Sequence, residues 1–237
     1  MIDIDDQGAI RVVTLDRPER RNALTPAGLE ALETAVADPP VPVVYLHGAG
    51  EAFSAGADFE SVAALADDAD ADVEAFVRRG QRTADAIETS PAVVVAGIDG
   101  AARGGGVELA AACDLRIATP DATFAEPGVT FGLFGAWGGT VRLPELVGLG
   151  DALDLSLSGR VVDSEEARRI GLVSRIVEEP RAVAERIAEN DPAALEELKA
   201  CLRDRGSKAE REDGEVAAFE TLVETHAETL RDLGGSS

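Results

Sequence analysis

Apolar positions follow two periods along this chain, and the changes between them mark its elements. Residues 9–15 carry the apolar-rich pattern of a strand. Residues 41–47 and 92–98 are nearly unbroken apolar runs, which suit strands covered on both faces. Between them, Thr25 is a good N-cap and Pro26 a good first residue for a helix over 27–36, and Pro39-Pro40 interrupts the chain. Over residues 72–87, Val73, Phe76, Val77, Ala84 and Ile87 fall mostly on one helical face with charges opposite. Residues 113–118 and 171–177 read as strands, and 123–129 as a short strand and turn. Helices are expected over 141–147, 151–158, 165–170, 193–202 and 210–233, with Asp163 and Glu166 placed like a capping box. Strand, strand, helix units recur loosely, without an exact sequence repeat. The order predicts an α/β fold with a helical last third.

Two small-residue turns break this pattern. Gly104-Gly105-Gly106 follows the strand at 92–98 and precedes a helix-like run that contains Glu108. Glycine permits tight turns and close approach, and the first amides of a helix have no internal acceptor. The second turn, Phe53-Ser54-Ala55-Gly56-Ala57-Asp58, also follows a strand and precedes a possible helix. Either turn alone serves as a tight connection. Two turns each giving one N–H would make an oxyanion hole, where a carbonyl oxygen gaining charge is stabilised. Glu108 stands one helical turn after Gly104 and Gly105. Its neighbours are nearly all apolar, so burial should raise its pKa, although a glutamate there can also simply favour the helix dipole.

Composition narrows the picture. At 237 residues the chain can hold one domain with a substantial core and a small helical appendage. Its 45 acids and 22 bases give a net charge of −23, and Lys199 and Lys208 are the lysines. The acids are spread along the chain, as at residues 67–72 and 210–213, which describes a whole surface rather than a tail. Such self-repulsion is tolerable where salt screens it, so a salt-rich, halophile-like cytoplasm is inferred and nucleic acid is an improbable partner. No apolar run approaches a bilayer span, and the acidic start lacks a signal peptide's basic region. Cys113 and Cys201 lack metal spacing and read as buried thiols in a reducing cytosol. Only His47 and His226 are histidines, neither with metal-ligand company, and no Rossmann or Walker A pattern or nucleophile elbow is present.

The two turns together resemble those of the crotonase, or enoyl-CoA hydratase/isomerase, family. The resemblance runs from Arg11 to about Val177. It implies a spiral of ββα units over residues 1–177, and a C-terminal helical region of the trimerisation or lid type over 178–237. It places the oxyanion-hole amides on Ala57 and Gly105 and makes Glu108 the proton-moving carboxylate. Arg20 and Arg21 would meet the CoA phosphates. Ala23, Ala55, Gly56, Asp58 and Gly104 would contribute to the substrate and CoA site, with Pro127, Gly128 and Trp137. Trp137 also reads as a packing anchor. The segment between Asp58 and Asp72 would cover the acyl chain. No permanently bound cofactor or metal is expected, because coenzyme A arrives with the substrate. A homotrimer or a dimer of trimers in the cytoplasm is implied.

The chain departs from that pattern near the reacting centre. Relatives that hydrate carry a second glutamate directly after the proline, where this chain has Gly128; its acid, Glu126, stands before Pro127. Gly135 replaces a common proline. Hydration of a 2-enoyl-CoA is the leading expectation. Double-bond isomerisation with Glu108 alone, decarboxylation, or a non-catalytic acyl-CoA-binding role stay open. If Gly128 has a negative φ, a glutamate there should raise hydration; a positive φ would make the change destabilising.

Overall fold

The computed structural model describes residues 1–67 and 72–235. β1 (Ile2–Gln7) and β2 (Ile10–Leu15) form a hairpin, followed by α1 (Pro26–Ala37). Three strand pairs come next. β3 (Val43–Gly48) and β4 (Ala52–Ser54) lead to α2 (Phe59–Asp67) and α3 (Val73–Thr89). β5 (Val93–Ile98) and β6 (Ala101–Arg103) lead to α4 (Gly105–Ala112). β7 (Leu115–Ala118) and β8 (Thr123–Ala125) lead, through a 3-10 turn at Pro127–Phe131, to α5 (Gly139–Ser158). The first strand of each pair joins a sheet ordered β1-β2-β3-β5-β7, and the second joins a sheet ordered β4-β6-β8. Each unit therefore advances both sheets by one parallel strand, which is the expected spiral of ββα units.

The remaining elements finish the sheets and cover them. β9 (Val162–Asp163) pairs antiparallel with β8, α6 (Ser164–Arg169) follows, and β10 (Arg175–Ile176) extends the larger sheet beside β7. Alternate residues of the larger sheet enter two cores. Val13, Leu15, Val44, Leu46, Val94 and Ala96 face the main core. Val12, Val43, Tyr45, Val93 and Val95 face outward, where Ala184 of α7 (Pro180–Ala188) and Leu195 of α8 (Pro192–Arg203) pack on them. Burial on both faces explains the continuous apolar runs.

The core therefore does not stop at residue 177. Lys199 of α8 is buried, donating to the Ala92 carbonyl at 2.7 Å and pairing with Asp114 at 2.8 Å. Beyond it, α9 (Lys208–Thr225) and α10 (Ala227–Gly235) contribute no residue to either core among the described residues and expose Val216, Phe219, Leu230 and Leu233.

Local chemistry sets most boundaries. Thr25 accepts from Gly28 N, Asp72 from Ala75 N, Asp163 from Glu166 N and Asp191 from Ala194 N, each capping its helix. The final helix expected over 210–233 is two helices that part at His226, and it begins earlier, at a capping box of Ser207 and Glu210. The helices expected over 141–147 and 151–158 meet at a non-helical Gly148 within α5. The strand expected over 171–177 shrinks to β10, because Gly171 turns the chain at φ 90°. Cys113 is buried as expected, but Cys201 is only half-buried. The acidic run at 67–72 includes residues 68–71, outside the described residues, so the segment expected to cover the acyl chain is only partly described.

Candidate active site

The loop at 17–24 and the end of β4 build the first amide turn together. Leu24 N donates to Gly56 O at 2.7 Å, Asp58 N to Leu24 O at 3.0 Å, and Ala55 N to Arg21 O at 2.8 Å. Asn22, buried in a left-handed conformation, donates to the Ala49 and Ala52 carbonyls from its side chain. Gly56 takes φ 81°, a conformation glycine adopts without strain. Asp58 follows the turn and is buried against Arg17 at 2.6 Å, where it also accepts from Ser61 N. Burial would raise its pKa, but the Arg17 and Ser61 hydrogen bonds hold it below the ordinary value.

The second turn ends β6. Gly104 has φ 48° and donates to Ala125 O at 3.0 Å, after which α4 starts at Gly105. A Cβ on Gly56 would lie 2.6 Å from Gly105 N and 2.8 Å from Arg103 O. The two turns thus abut with no side chain between them. Neither Ala57 N nor Gly105 N donates to an acceptor among the described residues. Both residues line one cavity of about 540 Å³, otherwise walled chiefly by apolar side chains such as Phe59, Val62, Phe76, Phe131 and Phe134.

Glu108 enters this cavity from α4 and is its only carboxyl among the described residues. It is 1% exposed. Its Oε1 accepts from Trp137 N at 2.9 Å and Gly139 N at 2.7 Å, at the start of α5. A Cβ on Gly135 would lie 2.7 Å from the Glu108 carboxyl, so the glycine that replaces proline leaves room for it. Burial pushes the Glu108 pKa up to about 7, against the pull of the two amides and Arg142. Glu108 also lines a second, small cavity of about 30 Å³, together with Glu126, Thr140 and Ser156. That is room for about one water. Burial, then the Glu108 charge, pushes the Glu126 pKa up to about 8.

The remaining sequence candidates divide by position. Ala55, Gly104, Pro127, Gly128 and Trp137 line the larger cavity. Trp137 is 3% exposed and lies against Gly80 and Gly105, so it forms the wall behind the second amide. Arg21 lines the cavity mouth and an adjoining cavity of about 480 Å³. Arg20, by contrast, pairs on the surface with Glu60 at 2.8 Å and lines neither. Ala23 is buried and gives its carbonyl to Arg17, and Asp58 lines neither cavity; both brace the first turn. Arg103 was not singled out by the sequence. It lines both cavities beside Arg21, its guanidinium fixed by Thr123 O at 2.8 Å and Thr123 Oγ1 at 3.0 Å. Burial and the Arg21 charge lower its pKa. Its signal was a lone base among the small residues 100–106.

Gly128 is not in the left-handed region. A Cβ there would nonetheless stand 2.8 Å from Phe134 Cα and 3.0 Å from Leu133 O. Backbone crowding, not φ, reserves the position for glycine.

The Ala57 and Gly105 backbones, the buried Glu108 carboxyl and the Arg21 and Arg103 side chains thus line one cavity of a ββα spiral. Comparison with known proteins identifies the family. The family model for enoyl-CoA hydratase/isomerase matches residues 5–231. A Bacillus subtilis (strain 168) protein named probable enoyl-CoA hydratase is 38% identical over 200 residues, 80% of this chain and 76% of that one. The crystal structure of an enoyl-CoA hydratase from Bacillus anthracis superposes with a TM-score of 0.89 at 32% identity, covering 99% of this chain and 96% of that one. A Thermobifida fusca YX protein in complex with acetoacetyl-CoA superposes at 0.84 and 26% identity, covering 94% and 95%. The chain belongs to the enoyl-CoA hydratase/isomerase family.

Proposed function

We propose that the protein hydrates a 2-enoyl-CoA through an enolate held by the Ala57 and Gly105 amides. The observation that carries this is that Glu108 lines both the large apolar cavity and a water-sized cavity. The thioester oxygen lies between the two amides, which stabilise it as charge develops. As a carboxylate, Glu108 takes a proton from water while the water oxygen bonds the β-carbon. The double-bond electrons pass to the thioester as an enolate. Glu108 then returns the proton to the α-carbon and is restored as carboxylate. Arg21 and Arg103, like charges side by side in a chain of net charge −23, hold CoA phosphate groups at the mouth. The acidic surface suits concentrated salt in a cytoplasm. The exposed apolar side chains of α9 and α10 suit assembly into a trimer or a pair of trimers.

Isomerisation is a second reading, favoured by Glu108 being the one carboxyl on the acyl cavity among the described residues. There Glu108 would move a proton between the α- and γ-carbons with no water added. Parallel assays with crotonyl-CoA and a 3-enoyl-CoA in molar KCl, with products identified by mass, separate the two. A gain of one water with crotonyl-CoA supports hydration. A shifted double bond in the 3-enoyl ester alone supports isomerisation, and no turnover of either overturns both.

A further inference from the structure

Glu126 is the least expected group near the reaction centre. It is 7% exposed, yet its Oε1 has no hydrogen-bond partner among the described residues. It forms no ion pair there either. An isolated buried carboxylate is costly, and such a group ordinarily keeps its proton. Its neighbours explain why nothing relieves that cost. The small cavity brings it to Glu108 of α4, and the other lining groups are the uncharged Val129, Phe134, Thr140, Leu143 and Ser156 among them. A cation that acts on Glu108 is Arg142 of α5, which favours its charged form. Arg142 is itself engaged by Asp85 at 2.7 Å and Glu88 at 2.6 Å.

The two carboxyls are therefore treated unequally. Two amides donate to Glu108 Oε1, which suits a carboxylate. No donor among the described residues reaches Glu126 Oε1, which suits a neutral acid. We propose that Glu126 is the positioning carboxyl of this site: it holds the single proton of a Glu108–Glu126 pair across the small cavity, and so keeps Glu108 the carboxylate that serves as base. This rests on the reading of Glu108 given above. It also assigns the second acid to the residue before Pro127, since the backbone of Leu133 and Phe134 crowds the position after it. Glu126 gains and loses no proton in the net cycle. Its O–H donates a hydrogen bond to whatever occupies the small cavity, water included. When Glu126 ionises, the cavity carries two negative charges, and an enolate beside them is disfavoured.

The test is the pH profile of Glu126→Gln beside the infrared spectrum of the intact protein, both in molar KCl. Wild type should show a bell-shaped kcat profile, its alkaline limb set by ionisation near the value of about 8 for Glu126. Glu126→Gln stays neutral at every pH, so it should lose that limb, lower kcat by about tenfold and leave KM within about twofold. A merely structural residue would leave both limbs in place, and that result overturns the proposal. The infrared arm needs no turnover. The unliganded wild type should show a protonated-carboxyl band at about pH 7.5. That band should be largely lost in Glu126→Gln, leaving only the minor protonated fraction of Glu108, and should titrate at lower pH in Glu108→Gln, where the like charge is gone. No such band in wild type, or one that Glu126→Gln retains undiminished, overturns the proposal. Turnover absent on every substrate, with the band behaving as expected, leaves the proton pair standing and removes only the reaction assigned to it.

Discussion

Gly56 and Gly105 touch backbone to backbone: a Cβ on Gly56 would stand 2.6 Å from the Gly105 amide nitrogen. One turn comes from the end of β4 and the other opens α4, 49 residues later in the chain. Their contact brings the Ala57 and Gly105 backbones to one cavity, where the proposed enolate is held. Gly56→Ala adds both a clash and a side chain at φ 81°. It should destabilise the fold by about 1 kcal/mol or more and lower kcat by about 10²-fold, through loss of oxyanion alignment. Chemical denaturation and steady-state kinetics measure the two effects. A folded variant with unchanged kcat would show that the amides do not depend on this contact.

The Gly128 position gives an outcome opposite to the one a negative φ alone suggests. Gly128→Glu sets its Cβ against the backbone of Leu133 and Phe134, atoms that cannot rotate away. The variant should melt lower, consistent with about 1–3 kcal/mol of overpacking, and should not gain hydration. A stable variant with faster hydration would show that the 127–134 segment yields easily.

What the sequence made legible was chiefly local. The glycine turns, the apolar strands and the helix caps each depend on residues a few positions apart, and each is found. The acidic strand β1 is not legible, because Ile2–Gln7 carries only two apolar residues, Ile2 and Ile4, among acids, and is held by pairing with β2. The α7 helix was not seen because its packing surface, the outer face of β2, β3 and β5, is remote in sequence. At the site, Glu108 was legible from its apolar neighbours. Arg20 and Arg21 were indistinguishable as adjacent arginines, and only the fold turns Arg20 to Glu60 and Arg21 to the cavity. The nearness of Glu126 to Glu108 depends on how β8 passes α4, which no spacing reveals.

The pair also fixes how stability responds to pH. Both carboxyls have folded values, about 7 and about 8, above the ordinary glutamate value of 4.5. The unfolded chain therefore releases these protons first as pH rises. Their stabilising contribution is full below about pH 4.5, falls through neutrality and is lost above about pH 8. The melting temperature of Glu126→Gln minus that of wild type should therefore rise between about pH 5 and pH 8. A difference constant across that window would contradict the raised values.

Salt should act on the whole surface. With a net charge of −23, screening relieves repulsion that disfavours the compact state. Melting temperature should climb from about 0.1 M to about 2 M KCl, with activity following. A flat or falling melting temperature would show that the acidic surface is not an adaptation to salt.

The central claim is that Glu108 moves a proton at the α-carbon of a thioester held by the Ala57 and Gly105 amides. Exchange in D2O tests it without choosing between hydration and isomerisation. A saturated acyl-CoA, which can neither add water nor shift a double bond, is incubated with enzyme in molar KCl, and deuterium at the α-carbon is read by mass or NMR. Wild type should introduce deuterium, and Glu108→Gln should do so at least about 10²-fold more slowly while binding the ester equally well. Equal exchange in the two proteins, or none with wild type that binds the ester, would contradict the account.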